Sequence, residues 1–169
     1  MLRIIFSLAL ATAALATAHA LAKDLVSIAG KGIAKQEKFD VIYENKTSGH
    51  MISFTQNQAK THEIKGDGLF DALSKTCSAT WDLINGIGSV EGYCNSEKND
   101  DKLAAKWNGM CHSAAGSAKK PVLRCGGGWT FVPGSGTGRF AGVVGGGTWT
   151  GGFLPSGDFE EEWSGIYRK

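Results

Sequence analysis

The stretch from Gly134 to Gly152, GSGTGRFAGVVGGGTWTGG, limits what this chain can become more than any other segment does. Of the chain's 24 glycines, 12 lie between Gly126 and Gly152, interleaved with Trp129, Phe131, Phe140 and Trp149 and followed by Phe153. A helix here loses about 1 kcal/mol at each glycine relative to alanine. Bent strands that approach one another closely use glycine where a side chain has no room. Large rings alternating with residues that have no side chain therefore point to a curved, closed antiparallel sheet.

The segment from Cys77 to Cys94 supplies a register. Asn85-Gly86 is a preferred type I′ hairpin pair, which sets Ile84 opposite Ile87 and, counting outward, Cys77 opposite Cys94. The cysteines then form a non-hydrogen-bonded pair, with Cα atoms about 4.5 Å apart and within disulfide reach. The same register puts Leu83, Trp81, Ala79 and Cys77 on one face with Gly88, Val90, Gly92 and Cys94. Ser78, Thr80, Asp82, Ser89, Glu91 and Tyr93 fall on the other face, a division that a one-residue slip destroys.

Other strands are read from alternation and turn chemistry. Leu25–Ile28, Phe39–Tyr43 and Met51–Thr55 are short β-prone runs, with turns expected at Gly30–Gly32, Glu44–Gly49 and Gln56–Ala59. Asn45-Lys46-Thr47 matches a glycosylation acceptor and is read as part of such a turn. The best helical candidate, Gly68–Lys75, is short and equally a strand entry. After a polar turn at Asn95–Asp101, Leu103, Ala105, Trp107, Gly109 and Cys111 share one strand face; His112–Lys120 is a polar loop, and Pro121–Cys125 is again extended. Cys111–Cys125 is left as the second bridge, although four cysteines allow three pairings and only the first has a register argument. Near the C-terminus Phe159, Glu161, Trp163, Gly165 and Tyr167 alternate with Glu160, Glu162, Ser164 and Ile166.

Residues 1–20 read as a secretory signal: Arg3, an apolar run Ile4–Ala16, and an Ala18-His19-Ala20 cleavage site. This places the mature chain, 21–169, in the periplasm or outside the cell, where four cysteines form disulfides. The fold class expected is all-β, a single antiparallel barrel of about eight strands stapled by disulfides. Trp81, Trp107, Trp129, Trp149 and Trp163 face its interior. No second long apolar run follows the signal, so an integral membrane protein is not expected. Lys plus Arg number 18 against 16 acids, and losing Arg3 leaves 17 against 16, mixed along the chain. Nucleic acid is excluded as a partner on that ground.

No constellation establishes a reaction. Gly136–Ala141 fits a loose dinucleotide fingerprint, but the glycines after it cannot form the helix that such a loop needs. His50, His62 and His112 lack metal-ligand spacing, no cysteine pair has C-x-x-C spacing, and no cofactor or metal is expected. Glu161 shares a face with Trp163 and Tyr167, which positions it for proton transfer if that face is inward; a rim charge is the commoner role for such a residue.

Gly136-Thr137-Gly138-Arg139-Phe140-Ala141-Gly142, followed by Gly145-Gly146-Gly147, resembles the G-T-G-x-F-x-G stretch of the allene oxide cyclase and dirigent barrels. With Gly92-Tyr93-Cys94 and Trp107 ahead of it, the segment also resembles small exported bacterial proteins related to them. The resemblance implies an eight-stranded barrel, often a homo-oligomer, whose interior holds a hydrophobic small molecule. None of the family's catalytic residues falls on this sequence by motif, and the two disulfides depart from the cyclases. A binding module is therefore expected ahead of a cyclase or isomerase, for which Glu161 and Glu91 are the candidate proton-transfer groups, and ahead of a purely structural barrel. Trp81, Trp107, Trp129, Trp149 and Glu161 are the candidate ligand contacts.

The mature protein is expected to begin at Leu21, and the intact mass of exported material checks this. A mass that retains Met1 removes the compartment argument.

Overall fold

The computed structural model of the chain describes residues 25–113 and 122–169. The signal, its cleavage point and most of the His112–Lys120 loop lie outside them. Nine strands follow in order: β1 (Val26–Asn45), β2 (His50–Lys60), β3 (His62–Lys65), β4 (Ser74–Ile84), β5 (Ile87–Lys98), β6 (Asp101–Ser113), β7 (Leu123–Phe131), β8 (Val144–Phe153) and β9 (Phe159–Arg168). Each pairs antiparallel with its neighbour in the ring. Both β2 and β3 run against β1, separated only by Thr61, so together they fill one place in the wall. β9 closes the ring on β1, leaving eight places and no α-helix among the described residues. The expected all-β, disulfide-stapled barrel is the architecture found.

The β4–β5 register matches the sequence argument pair for pair, from Ile84 opposite Ile87 to Cys77 opposite Cys94. Asn85 and Gly86 have φ of 52° and 76°, the left-handed backbone that a type I′ turn requires. Both disulfides form between directly opposed residues, Cys77–Cys94 and Cys111–Cys125, each with Cα atoms 4.0 Å apart. Each closes a loop of a size worth about 3 kcal/mol in the chain-entropy model.

Two expected turns are absent. Gly30–Gly32 lies inside the continuous β1, because Gly30 is the flat place on which the Trp163 ring rests rather than a bend. Gln56–Ala59 is strand too: its polar side chains read as a turn, yet β1 and β4 flank it on both sides and take up its backbone hydrogen bonds. The polar run after Cys94 turns only at Asn99 and Asp100, with φ of 54° and 67°. The Asn45–Gly49 turn does form, and the Asn45 carboxamide accepts from the backbone N–H of Thr47 and Ser48. Of the segment Gly68–Lys75, the first six residues form a loop and Ser74–Lys75 are the start of β4, so the strand entry rather than the helix is found.

Side chains inside the barrel stack in rows set by the register. One row reads Thr55, Ala79, Gly92, Trp107, Trp129, Gly147, Gly165, Ile28. The next reads Ser53, Trp81, Val90, Gly109, Gly127, Trp149, Trp163, Gly30. In each row two neighbouring indoles thus stand beside two neighbouring glycines, and four of the five indoles lie across a glycine of another strand. A methyl group placed on Gly30 would come 2.1 Å from Cζ2 of Trp163, and one on Gly92 2.8 Å from Cζ2 of Trp107. The fifth indole, Trp81, donates to Thr55 Oγ1 at 2.8 Å.

These rings organise two apolar clusters. One contains Trp81, Leu83, Val90, Trp149, Phe159 and both Cys111 and Cys125; the other contains Ile28, Phe70, Leu73, Leu103, Phe140 and Tyr167. Trp129 and Trp163 pack against both clusters.

Gly30→Ala is expected to destabilise by about 1–3 kcal/mol through overpacking. At Gly126, where the nearest atom to an added methyl is 3.4 Å away, the same change costs much less. Urea unfolding of the two variants measures the difference.

Candidate functional site

A cavity of about 120 Å³ lies where the two clusters meet. It is comparable to the ~150 Å³ engineered apolar cavity that admits benzene. Its walls are aromatic: the rings of Trp107 and Trp149 meet edge to face at 5.1 Å between centroids, and those of Trp129 and Trp163 at 6.4 Å. All five residues named from the sequence as ligand contacts, Trp81, Trp107, Trp129, Trp149 and Glu161, line it. Trp129 and Trp149 spend their indole N–H on the carbonyls of Thr148 and Asn108, both at 3.1 Å, whereas Trp107 Nε1 is buried with no partner among the described residues.

One part of the wall is polar. Lys75 on β4, 8% exposed, forms an ion pair with Glu161 on β9, and Asn57 and Ser96 line the cavity from β2 and β5 on either side of β4. Glu161 is thus an interior residue rather than the rim charge that its type suggests. Alternation with Phe159 and Trp163 turns it inward, and the Lys75 ammonium compensates its charge. Removing one member of such a buried pair strands the other, which typically costs about 3–5 kcal/mol. Asn57 is 8% exposed, and its side-chain oxygen has no hydrogen-bond partner among the described residues. Glu91, the other proton-transfer candidate, stands exposed on the opposite face of its strand and does not reach the cavity.

Sequence reasoning missed Lys75, Asn57 and Trp163 as cavity residues. For Lys75 a signal existed, because Leu83, Trp81, Ala79 and Cys77 share the inward face and one further step of two reaches residue 75. Asn57 was hidden by the turn assigned to its segment. Trp163 was placed inside the barrel but not at the site.

The loop between β3 and β4 stops one end of the cavity with Phe70 and Leu73. Thr61 clamps it: its hydroxyl donates to the Phe70 carbonyl at 2.7 Å and accepts from Leu73 N–H, and its own N–H donates to the Leu73 carbonyl. The Glu63 carboxylate accepts from the N–H of Gly68 and Phe70 at 2.8 and 2.9 Å. Tyr167 O–H donates to Asp67 at 2.5 Å, tying the loop to the last strand. Burial, then the hydrogen bond and negative charge of Asp67, push the Tyr167 hydroxyl well above its ordinary value of 10.0. At the same end the Arg139 side chain donates to Asp101 at 3.0 Å, and this hydrogen bond holds the Asp101 carboxyl below its ordinary value.

Among the described residues no group of three or more His, Cys, Asp or Glu is placed to hold a metal ion, and no helix is long and apolar enough to cross a membrane. No protein-family model and no curated protein matches the chain.

The Tyr167 shift has a definite sign. A group whose folded value is raised contributes stability that is complete below its unfolded value near pH 10 and is lost as pH rises toward the folded value. Alkaline titration of unfolding free energy is expected to decline above pH 10 in the native chain, and Tyr167→Phe is expected to remove that part of the decline.

Proposed function

We propose that the protein is an exported container for a small apolar molecule, bound within the barrel. The observation that carries this reading is the aromatic-walled cavity left between two otherwise filled clusters, with one ion pair on its wall and one carboxamide oxygen that has no partner among the described residues. Ligand sites are mostly apolar surfaces with a few placed polar groups, and this arrangement has that composition. A barrel selected only for rigidity gains nothing from an unpaired Asn57 or Trp107 polar atom, each a desolvation cost of about 1–3 kcal/mol. The disulfides and the signal-like first 20 residues support an oxidising compartment, periplasmic or extracellular.

The size of the space refines the expectation drawn from the allene oxide cyclase and dirigent barrels. Phe70 and Leu73 stop one end, and the rings of Trp81, Phe153 and Phe159 pack together within the other cluster. A single ring fits this space better than a long acyl chain. The likeness is thus read as one of architecture and container role. Among the described residues Glu161 is the one carboxylate on the cavity wall, and it is the group a cyclase or isomerase activity would use.

Titration with toluene, followed by the change in tryptophan fluorescence and by the thermal midpoint, tests the reading. Saturable binding at one site is expected, with a stabilisation of about 2.7 kcal/mol once toluene reaches ~100 times its dissociation constant. Ala105→Phe, which places a ring in the cavity, is expected to abolish the binding. No saturable fluorescence change and no thermal shift would sink the proposal.

A further inference from the structure

This inference rests on the cavity admitting a small molecule. We infer that Lys75 captures carbonyl compounds, forming an imine with a one-ring aldehyde or a small ketone held against the tryptophans, with Glu161 as the proton relay. Among the described residues Lys75 brings the one amine to the cavity wall, and its Nζ is hydrogen-bonded to the Glu161 carboxylate. Both side chains are largely removed from water, at 10% and 15% exposed. Transfer of one Nζ proton to the Glu161 carboxylate, along the hydrogen bond that joins them, opens the reaction and frees the nitrogen lone pair. A desolvated neutral lysine is the nucleophile that forms Schiff bases.

The steps balance without any further reagent. The lone pair of Nζ forms a bond to the carbonyl carbon while the C=O π pair moves to oxygen; Glu161 gives its proton to that oxygen and takes one back from nitrogen, leaving a carbinolamine. Glu161 then protonates the hydroxyl, the C–O bond breaks, water leaves, and the nitrogen lone pair completes a protonated imine opposite a Glu161 carboxylate. The site starts and ends with one positive and one negative group. Asn57 sits diagonally across the β2–β4 pair from Lys75, and its unpartnered oxygen offers an acceptor for the carbinolamine hydroxyl. The aromatic wall selects a ring of benzaldehyde size over a larger substrate.

The test is incubation of the full-length mature chain with benzaldehyde and sodium cyanoborohydride, which reduces the imine to a stable benzylamine, followed by intact mass and peptide mapping. The expected result is one benzyl group per chain on Lys75, formed about 100-fold faster than on surface lysines such as Lys46 and Lys102. Excess toluene should suppress the Lys75 label and leave surface labelling untouched. Glu161→Gln should slow labelling of Lys75 by about 100-fold through loss of the relay. Should that variant fail to fold, the double variant Lys75→Met with Glu161→Met removes both charges and should lose the fast label alone. Label found only on surface lysines while toluene still binds overturns carbonyl capture and leaves the container reading standing. Absence of toluene binding, with Lys75 unlabelled, overturns both.

Discussion

The interior of this barrel depends on indole rings lying flat over positions that have no side chain. An eight-stranded barrel has just enough interior for its side chains, and five tryptophans overfill it unless space is supplied elsewhere. Gly30, Gly92, Gly109 and Gly165 supply it, each within 2.8 Å, at the position of an absent methyl, of the ring it accommodates. The rings then stack edge to face instead of colliding, and they draw opposite walls together into two filled clusters. What remains between the clusters is a pocket whose walls are already fixed by packing. The Lys75–Glu161 pair finds its place there because alternation along β4 and β9 turns residues 75 and 161 inward.

A second constraint is stagger. Following the first interior row around the ring from Phe39 on β1, through Thr55 on β2, the wall returns to β1 at Ile28, eleven residues earlier. One strand must bridge that offset, and this is why β1 runs for 20 residues, pairing with β9 up to Ala34 and with β2 from Ala34 onward. Beyond Ala34 its other edge has no strand partner among the described residues. Two register shifts and a Lys38–Asp40 ion pair at 2.7 Å occupy that edge, the means by which exposed edges resist pairing with other chains.

Local chemistry was readable in the sequence; long-range supply of partners was not. The β4–β5 hairpin follows from Asn85-Gly86 and the alternation around it, and both disulfides follow from that register and elimination. The turns assigned to Gly30–Gly32 and Gln56–Ala59 fail because glycine and amide residues have strand uses that only tertiary contacts reveal. Gly30 needs Trp163, which lies over a hundred residues away in the chain. Asn57 needs the cavity. Lys75 lay within reach of the same alternation that placed Cys77 inward, but a lysine next to a polar loop reads as solvent-facing unless its counter-ion, eighty-six residues on, is known to be inside.

The closure of the ring between β1 and β9 also joins the strands that lie farthest apart in sequence. Val26 pairs with Tyr167, 141 residues on, whereas Cys77–Cys94 and Cys111–Cys125 span separations of only 17 and 14 residues. The central hairpins β4–β5 and β6–β7 thus close at lower entropic cost than the ring itself. Trp107 of β6 has its glycine, Gly92, on the neighbouring β5, whereas Trp129 of β7 needs Gly165 on β9, and Trp163 needs Gly30 on β1. The cavity, with Lys75 on β4 and its counter-charge on β9, therefore depends on the pairing of β1 with β9, the pairing most distant in sequence.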